Sequence, residues 1–315
     1  MRRLSVIAII VVALGMASCV KDLEFTGEQS DPLLVVNGIQ QVGQPARLIV
    51  EKSRFFTSTD NDLRVKDVAV DLYVNGAFKE SLQVRDSLVM EINYDWNTDQ
   101  EVEELAYAFN YCEGQYLLCE GDRLKFEVRS SEFETATAEV TMLEAPNVVS
   151  FELVSIDTVN WNLMLALKLE DPVGSDYYNI FPTDGLQSFT STDPVFADIM
   201  NLDADSFLSE NTEYYGYGPY NIFSDNYFNG KTYTVSIKAS VWGLDEYEPL
   251  TLEVSRVDEH LYNYKKTYEA YESSNPGTVI GMFTEPVQVY SNLQNAVGVV
   301  CAQSMPVVKS ITLTF

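Results

Sequence analysis

The sequence predicts a mainly β protein: two β-sandwich-like domains, the second with one amphipathic helix. Three observations predict it. Apolar residues recur at alternate positions in one short segment after another, turn residues separate these segments, and only one stretch has helical spacing. The chain is 46% hydrophobic and 12% aromatic, ample for packed cores. Its 315 residues fit two domains at about 150 residues each.

The start of the chain reads as an export signal. Arg2 and Arg3 precede an apolar run over residues 4–16, and Ala17, Ser18 and Cys19 follow. The run is shorter than the roughly 20 residues of a membrane-spanning helix. A cysteine after two small residues is where a lipoprotein signal peptidase cuts, so residues 1–18 are expected to be removed and Cys19 lipidated. The alternative is an ordinary signal peptide with a chance cysteine. Two or more acyl chains suffice for stable anchoring, with residues 19–30 as the tether. Val20-Lys21-Asp22-Leu23-Glu24 resembles the signals that send Bacteroidota lipoproteins to the cell surface.

Losing Arg2 and Arg3 takes the formal charge from -27 to -29 over the remaining 297 residues. Such a chain repels nucleic acid, which is excluded as a partner.

The first domain is expected over residues 31–146, as an immunoglobulin-like or transthyretin-like sandwich. Val68, Val70, Leu72 and Val74 alternate up to Asn75-Gly76, a strong hairpin signal because both residues accept positive φ. Leu124, Phe126 and Val128 alternate, as do Ala136, Ala138, Val140 and Met142. Residues 86–113, crowded with acids over 95–104, read as a long functional or mobile loop. A break at Glu144-Ala-Pro-Asn147 places the domain boundary.

The second domain, residues 147–315, restarts the alternation at Trp161, Leu163, Leu165, Leu167 and Leu169. Tyr233, Val235, Ile237, Ala239 and Val241 repeat it, then Leu250, Leu252 and Val254. Val257, Leu261, Tyr264, Tyr268 and Tyr271 step by 4, 3, 4 and 3, which predicts a helix over 256–272. Ser255 and Asp258 are spaced as a capping box. The tyrosines are expected to pack the helix on a sheet. Strands are expected again at Val287 and Val289 and at Ile311, Leu313 and Phe315.

Cysteines and titratable groups limit the chemistry. Cys112 and Cys119 could close a small disulfide loop or stand as separate thiols, and Cys301 is expected in a strand. The single histidine, His260, falls in the predicted helix with no nucleophile elbow elsewhere, so it reads as a packing or partner contact. One histidine and no Cys-x-x-Cys exclude the usual zinc sets. Asp95-x-Asn97-x-Asp99 and Asn201-x-Asp203-x-Asp205 begin like calcium loops but fail at the glycine and bidentate glutamate positions. No metal site, cofactor or catalytic residue is therefore assigned. Tyr214, Tyr215, Tyr217 and Tyr220 form an aromatic cluster suited to ligand or partner contact, or to covering the sandwich end. Gly216, Gly218 and Pro219 argue against a strand there.

Several segments together resemble the Bacteroidota outer-membrane lipoproteins grouped as domain of unknown function 4249. They are Leu34-Val-Val-Asn-Gly38, Gly121-Asp-Arg-Leu-Lys-Phe-Glu-Val128, Phe223-Ser-Asp225 and Phe228-Asn-Gly-Lys-Thr-Tyr233, with Leu261-Tyr262, Phe283-Thr-Glu-Pro286 and Val289-Tyr-Ser-Asn292. Asn295-Ala-Val-Gly298 departs from a more glycine-rich turn. The resemblance implies a lipid-anchored outer-membrane lipoprotein, commonly encoded beside a TonB-dependent transporter, which is the partner expected, and no established activity; residues 20–24 point to the cell surface, with the periplasmic side left open. The function expected is a non-enzymatic accessory in ligand capture or gating. A stand-alone surface module that binds glycan or peptide, or acts as an adhesin, is one alternative. A carboxylate-pair hydrolase is another.

Overall fold

A computed structural model describes residues 30–55, 58–95, 100–157, 162–183, 186, 188–197, 214–217, 221–240, 249–274 and 287–312. The expected signal, Cys19 and the tether up to residue 29 lie outside the described residues. The chain is mainly β, as the alternation predicts. Its first strands are β1 (Leu34–Gln41), β2 (Pro45–Lys52), β3 (Ala69–Val74), β4 (Ala77–Ser81), β5 (Gln83–Asp95), β6 (Gln100–Leu117), β7 (Arg123–Arg129) and β8 (Ala136–Thr141). Next come β9 (Asn147–Asp157), β10 (Asn162–Glu170), β11 (Tyr177–Thr183), β12 (Ser188–Ser191), β13 (Tyr214–Tyr217), β14 (Asn221–Ser224), β15 (Thr232–Ser240) and β16 (Pro249–Val257). Helix α1 (Glu259–Ser274), β17 (Val300–Gln303) and β18 (Val307–Thr312) complete the order.

The hairpin between β3 and β4 forms where Asn75-Gly76 predicts it, with φ of 54° and 84°. Both positive values match the twist of the flanking strands.

Three sheets result among the described residues. The largest has nine strands in the order β14-β11-β16-β17-β1-β2-β6-β5, with β18 also on β16. A five-stranded sheet, β13-β12-β15-β10-β9, and a four-stranded one, β4-β3-β7-β8, complete the set. Alternate residues over 299–302 show how the layers stack. Val300 and Ala302 enter a core with Leu48, Leu72, Phe126 and Val140. Val299 and Cys301 point the other way, to a cluster with Leu261 and Tyr262 of α1. A second core joins Leu165, Leu167 and Ile237 of the five-stranded sheet to Ile180, Phe223, Leu252 and Val254 of the nine-stranded one. One face of the long sheet thus carries two sandwich cores, and α1 covers part of the other.

The two cores divide between Met142 and Val148, but the second domain is not the closed span 147–315. The chain returns near its end, and β17 lies parallel to β1 with Gly38 opposite Val300. Gly298, at φ 114°, makes the approach possible, since a Cβ there would sit 2.3 Å from the Val36 carbonyl oxygen. A strand is expected at Val287 and Val289, but residues 287–293 are irregular. They hold β17 by side chain instead: Asn292 Nδ2 donates to Val300 O at 2.7 Å, and Val300 N donates to Asn292 Oδ1 at 3.0 Å.

Helix α1 starts at Glu259 rather than 256, because β16 continues through Val257 in pairing with β11 and β17. Asp258 is the cap, its Oδ1 accepting the Leu261 N–H at 2.9 Å. Ser255 belongs to β16, where its Oγ accepts from Gln303 Nε2. Only the first half of the predicted stripe packs. Val257 and Leu261 are buried, whereas Tyr268 and Tyr271 are exposed and continue a ring ladder from Tyr264 with centroids 5.9 and 6.5 Å apart. Among the described residues no helix is long and apolar enough to cross a membrane.

Cys112 and Cys119 are separate free thiols. Strand β6 runs through Cys112 to Leu117, sending the first sulfur into the core, and Cys119 emerges beyond it in an exposed turn. Cys301 is buried in β17.

Candidate functional site

The segment 86–113 is not a loop. Strands β5 and β6 pair along their whole length, from Gln83 opposite Glu113 to Asp95 opposite Gln100, and form a long two-stranded arm. The root of β6 is anchored, with Ala108, Phe109, Asn110 and Cys112 buried and residues 110–117 paired to β2. Val65 N donates to Asn110 Oδ1 at 2.7 Å, and Asn61 Nδ2 donates to the Leu105 carbonyl at 2.9 Å. Beyond that root, β5 is the one strand neighbour of β6 among the described residues.

The outer arm exposes apolar side chains. Leu88, Met90, Ile92 and Tyr94 alternate along β5 and therefore share a face, with Leu88 59% and Ile92 69% exposed. Leu105 stands opposite Met90 on that face. A bulge between Val89 and Met90 leaves Ala106 unpaired and adds twist. Residues 88–107 contain Glu91, Asp95, Asp99, Glu101, Glu103 and Glu104 and no lysine or arginine. Glu91 lies directly opposite Glu104, a pairing that opposes the arm's own stability. Isolated two-stranded ribbons are marginal in water. The arm is thus an acidic ribbon with apolar side chains in solvent, and among the described residues it is also an edge of the nine-stranded sheet.

A cleft of about 450 Å³ lies at the other end of the same strands, between α1 and the outer face of β1, β2 and β6. Its walls are Ile39, Ile49, Tyr111, Leu261, Tyr264 and Val299. Two cations line it, Arg47 and Lys265, in a chain of net charge -27. Arg47 Nε is held by Glu113 Oε1 at 2.8 Å, and Lys265 Nζ by Glu269 Oε1 at 2.5 Å, one turn along the helix. Arg47 and Arg85 beside Glu113 hold its carboxyl below the usual range, the Arg47 hydrogen bond being the larger cause. Apolar walls with a cationic rim suit an amphipathic ligand bearing an anionic group.

The tyrosine cluster is elsewhere. Tyr214, Tyr215 and Tyr217 lie in β13, an edge strand paired with β12 through Ser191 opposite Tyr214 and Ser188 opposite Tyr217. Gly216 sits inside that strand opposite Phe189, so it did not prevent one. An edge position tolerates the glycine. Tyr220 lies outside the described residues. This segment belongs to the five-stranded sheet, whereas the arm and the cleft are built on the nine-stranded one.

His260 rests on α1 with Nδ1 2.8 Å from the Tyr290 hydroxyl and the rings stacked at 6.0 Å. Tyr290 N donates to Thr267 Oγ1, so the pair ties the returning chain to the helix. Of the two acidic loops tested for calcium spacing, Asp95 closes β5, while residues 96–99 and 198–213 lie outside the described residues.

The sequence singles out the arm's span as an acidic functional or mobile loop but not as a strand pair, and it does not single out the cleft. The arm's signal was present in the alternation of Leu88, Met90, Ile92 and Tyr94. The cleft has none, since its walls come from β1, β2, β6, α1 and the return before β17.

A family model described as Domain of unknown function (DUF4249) matches residues 20–305. No curated protein matches the chain. Among solved structures, the crystal structure of a beta-glycosidase from Bacteroides vulgatus is similar over 72% of this chain and 23% of that one, at 11% identity and a TM-score of 0.19. So slight a similarity says nothing about this chain's chemistry.

Proposed function

As the chain belongs to the family described as Domain of unknown function (DUF4249), whose description assigns no activity, we propose a function from the chain's own residues. The protein is a non-enzymatic accessory, lipid-anchored through Cys19 at the outer membrane, that docks on a TonB-dependent transporter and assists ligand capture or gating. The observation that carries this reading is the β5–β6 arm. Its exposed Leu88, Met90 and Ile92 supply contact area, and its acids, in a stretch without lysine or arginine, favour a partner with a basic surface and speed their encounter. A lipid tether keeps the arm at the membrane and raises its effective concentration there, so a small interface suffices.

The test places a photo-crosslinking residue at Ile92 in the full lipidated chain, with the exposed Val173 as control. The expected result is one crosslinked transporter from position 92 and none from 173. Met90→Ser with Ile92→Ser should lower capture about tenfold or more, while changing stability by no more than about 0.5 kcal/mol, because both side chains are already in water. Equal crosslinking from both positions, or none from position 92, overturns the reading. A stand-alone binding module is the second reading, favoured by the cleft beneath α1.

A further inference from the structure

Asp171, Asp176 and Asp225 come from two separate segments and are all buried. Asp171 follows β10 and Asp176 precedes β11, so the loop between them spans residues 171–176. Asp225 follows β14. Because Tyr177 is paired with Ser224, the next residues outward, Asp176 and Asp225, meet at the sheet end, where Asp225 N donates to Asp176 O at 3.0 Å.

The neighbouring contacts hold these carboxylates in place. Asp171 Oδ1 accepts from the Tyr178 hydroxyl at 2.5 Å and Oδ2 from Gly230 N at 2.7 Å. Asp176 Oδ1 accepts from the Arg256 guanidinium. Gly174 N donates to Asn229 Oδ1, and Asn229 Nδ2 donates back to Gly174 O, which locks the loop to the 225–230 turn.

One carboxylate oxygen from each aspartate lies within 4.8 Å of the others. Asp225 is 3% exposed, and its Oδ2 has no hydrogen-bond partner. Arg256 Nε is buried without one as well. The Arg256 guanidinium pairs with Asp176, and burying the remaining negative charge of Asp171 and Asp225 is costly without a counter-charge. Burial, then Asp171, pushes the Asp225 carboxyl up to about 6.

We propose that Asp171, Asp176 and Asp225 bind a hard divalent cation of the calcium class, which pins the 171–176 loop to the 225–230 turn. Oxygens up to 4.8 Å apart suit metal–oxygen bonds of roughly 2.4 Å. The shorter bonds and stricter octahedron of magnesium fit such spacing less well. A cleft of about 300 Å³, lined by Glu144, Glu170, Asp171, Tyr178 and Arg256, gives a polar approach from solvent.

The test strips the mature chain with EDTA and titrates it with Ca2+, reading heat and melting temperature. One ion per chain is expected, with Tm rising by roughly 5 °C at a hundredfold excess over Kd. Tb3+ should show tyrosine-sensitised emission through Tyr178 that Ca2+ displaces. Asp225→Asn should weaken binding about tenfold or more with an unchanged far-UV CD spectrum, whereas Glu101→Gln with Glu103→Gln on the arm should leave it unchanged. Absence of a stoichiometric ion and of a Tm rise at millimolar Ca2+ overturns the proposal, as does binding insensitive to Asp225→Asn. If the Asn variant does not fold, the wild-type stoichiometry and Tm shift decide alone.

Discussion

Asp258 joins helix α1 to strand β17: its Oδ2 accepts the Ala302 N–H at 2.8 Å while its Oδ1 caps the helix at Leu261. The Asp258 N–H in turn donates to the Ala302 carbonyl at 3.0 Å. Asp258→Ala removes the cap and strands a buried strand N–H, and is expected to cost about 2–4 kcal/mol. Urea unfolding of the mature chain measures it, and a loss under about 0.5 kcal/mol would show that solvent replaces both bonds.

Asp225 and Asp258 are both pushed up to about 6, chiefly by burial. The folded chain therefore holds more protons than the unfolded one between pH 4 and 6. Stability contributed by these groups falls as pH rises through that window and levels off above it. With chelator present, wild type should lose on the order of 2 kcal/mol relative to Asp225→Asn between pH 4 and 7. Urea midpoints at four pH values test this, and parallel curves for the two proteins would return Asp225 to ordinary titration.

The thiols should differ sharply in reactivity. Burial pushes Cys112 up to about 12 and Cys301 well above the usual thiol range, while Cys119 is exposed. In a Cys19→Ala chain, maleimide should label one thiol quickly, lost in Cys119→Ser, and two more only on unfolding. No fast thiol until a reductant is added would mean that Cys112 and Cys119 pair after all.

The cleft beneath α1 should take an anionic aromatic probe such as anilinonaphthalene sulfonate. Ile49→Trp fills it from the wall and should weaken binding about tenfold, while Lys265→Gln should weaken it roughly threefold. Fluorescence titration reads both, and unchanged affinity in Ile49→Trp would place the probe elsewhere.

How much of this was legible follows from where each feature takes its cause. Asn75-Gly76 and the alternation at Leu124, Phe126 and Val128 are local, and they fold as local patterns require. The arm misled because its acids read as a solvated loop, although Leu88, Met90, Ile92 and Tyr94 kept a strand period. Helix α1 began late since β16 pairing claimed Val257. The carboxylate trio had no local signal, because Asp176 meets Asp225 only through the pairing of Tyr177 with Ser224.

The parallel pairing of β1 with β17 also sets an order of events. Asn37 Oδ1 accepts the Val299 N–H across 262 residues, and Val300 and Ala302 complete the first core. During synthesis the amino-terminal sandwich keeps one edge of β1 open until residues 299–302 have been made. Contacts of such sequence separation fold slowly. A chain truncated after Asn292 should accordingly remain protease-sensitive even within residues 34–142, so the first half of this molecule matures last.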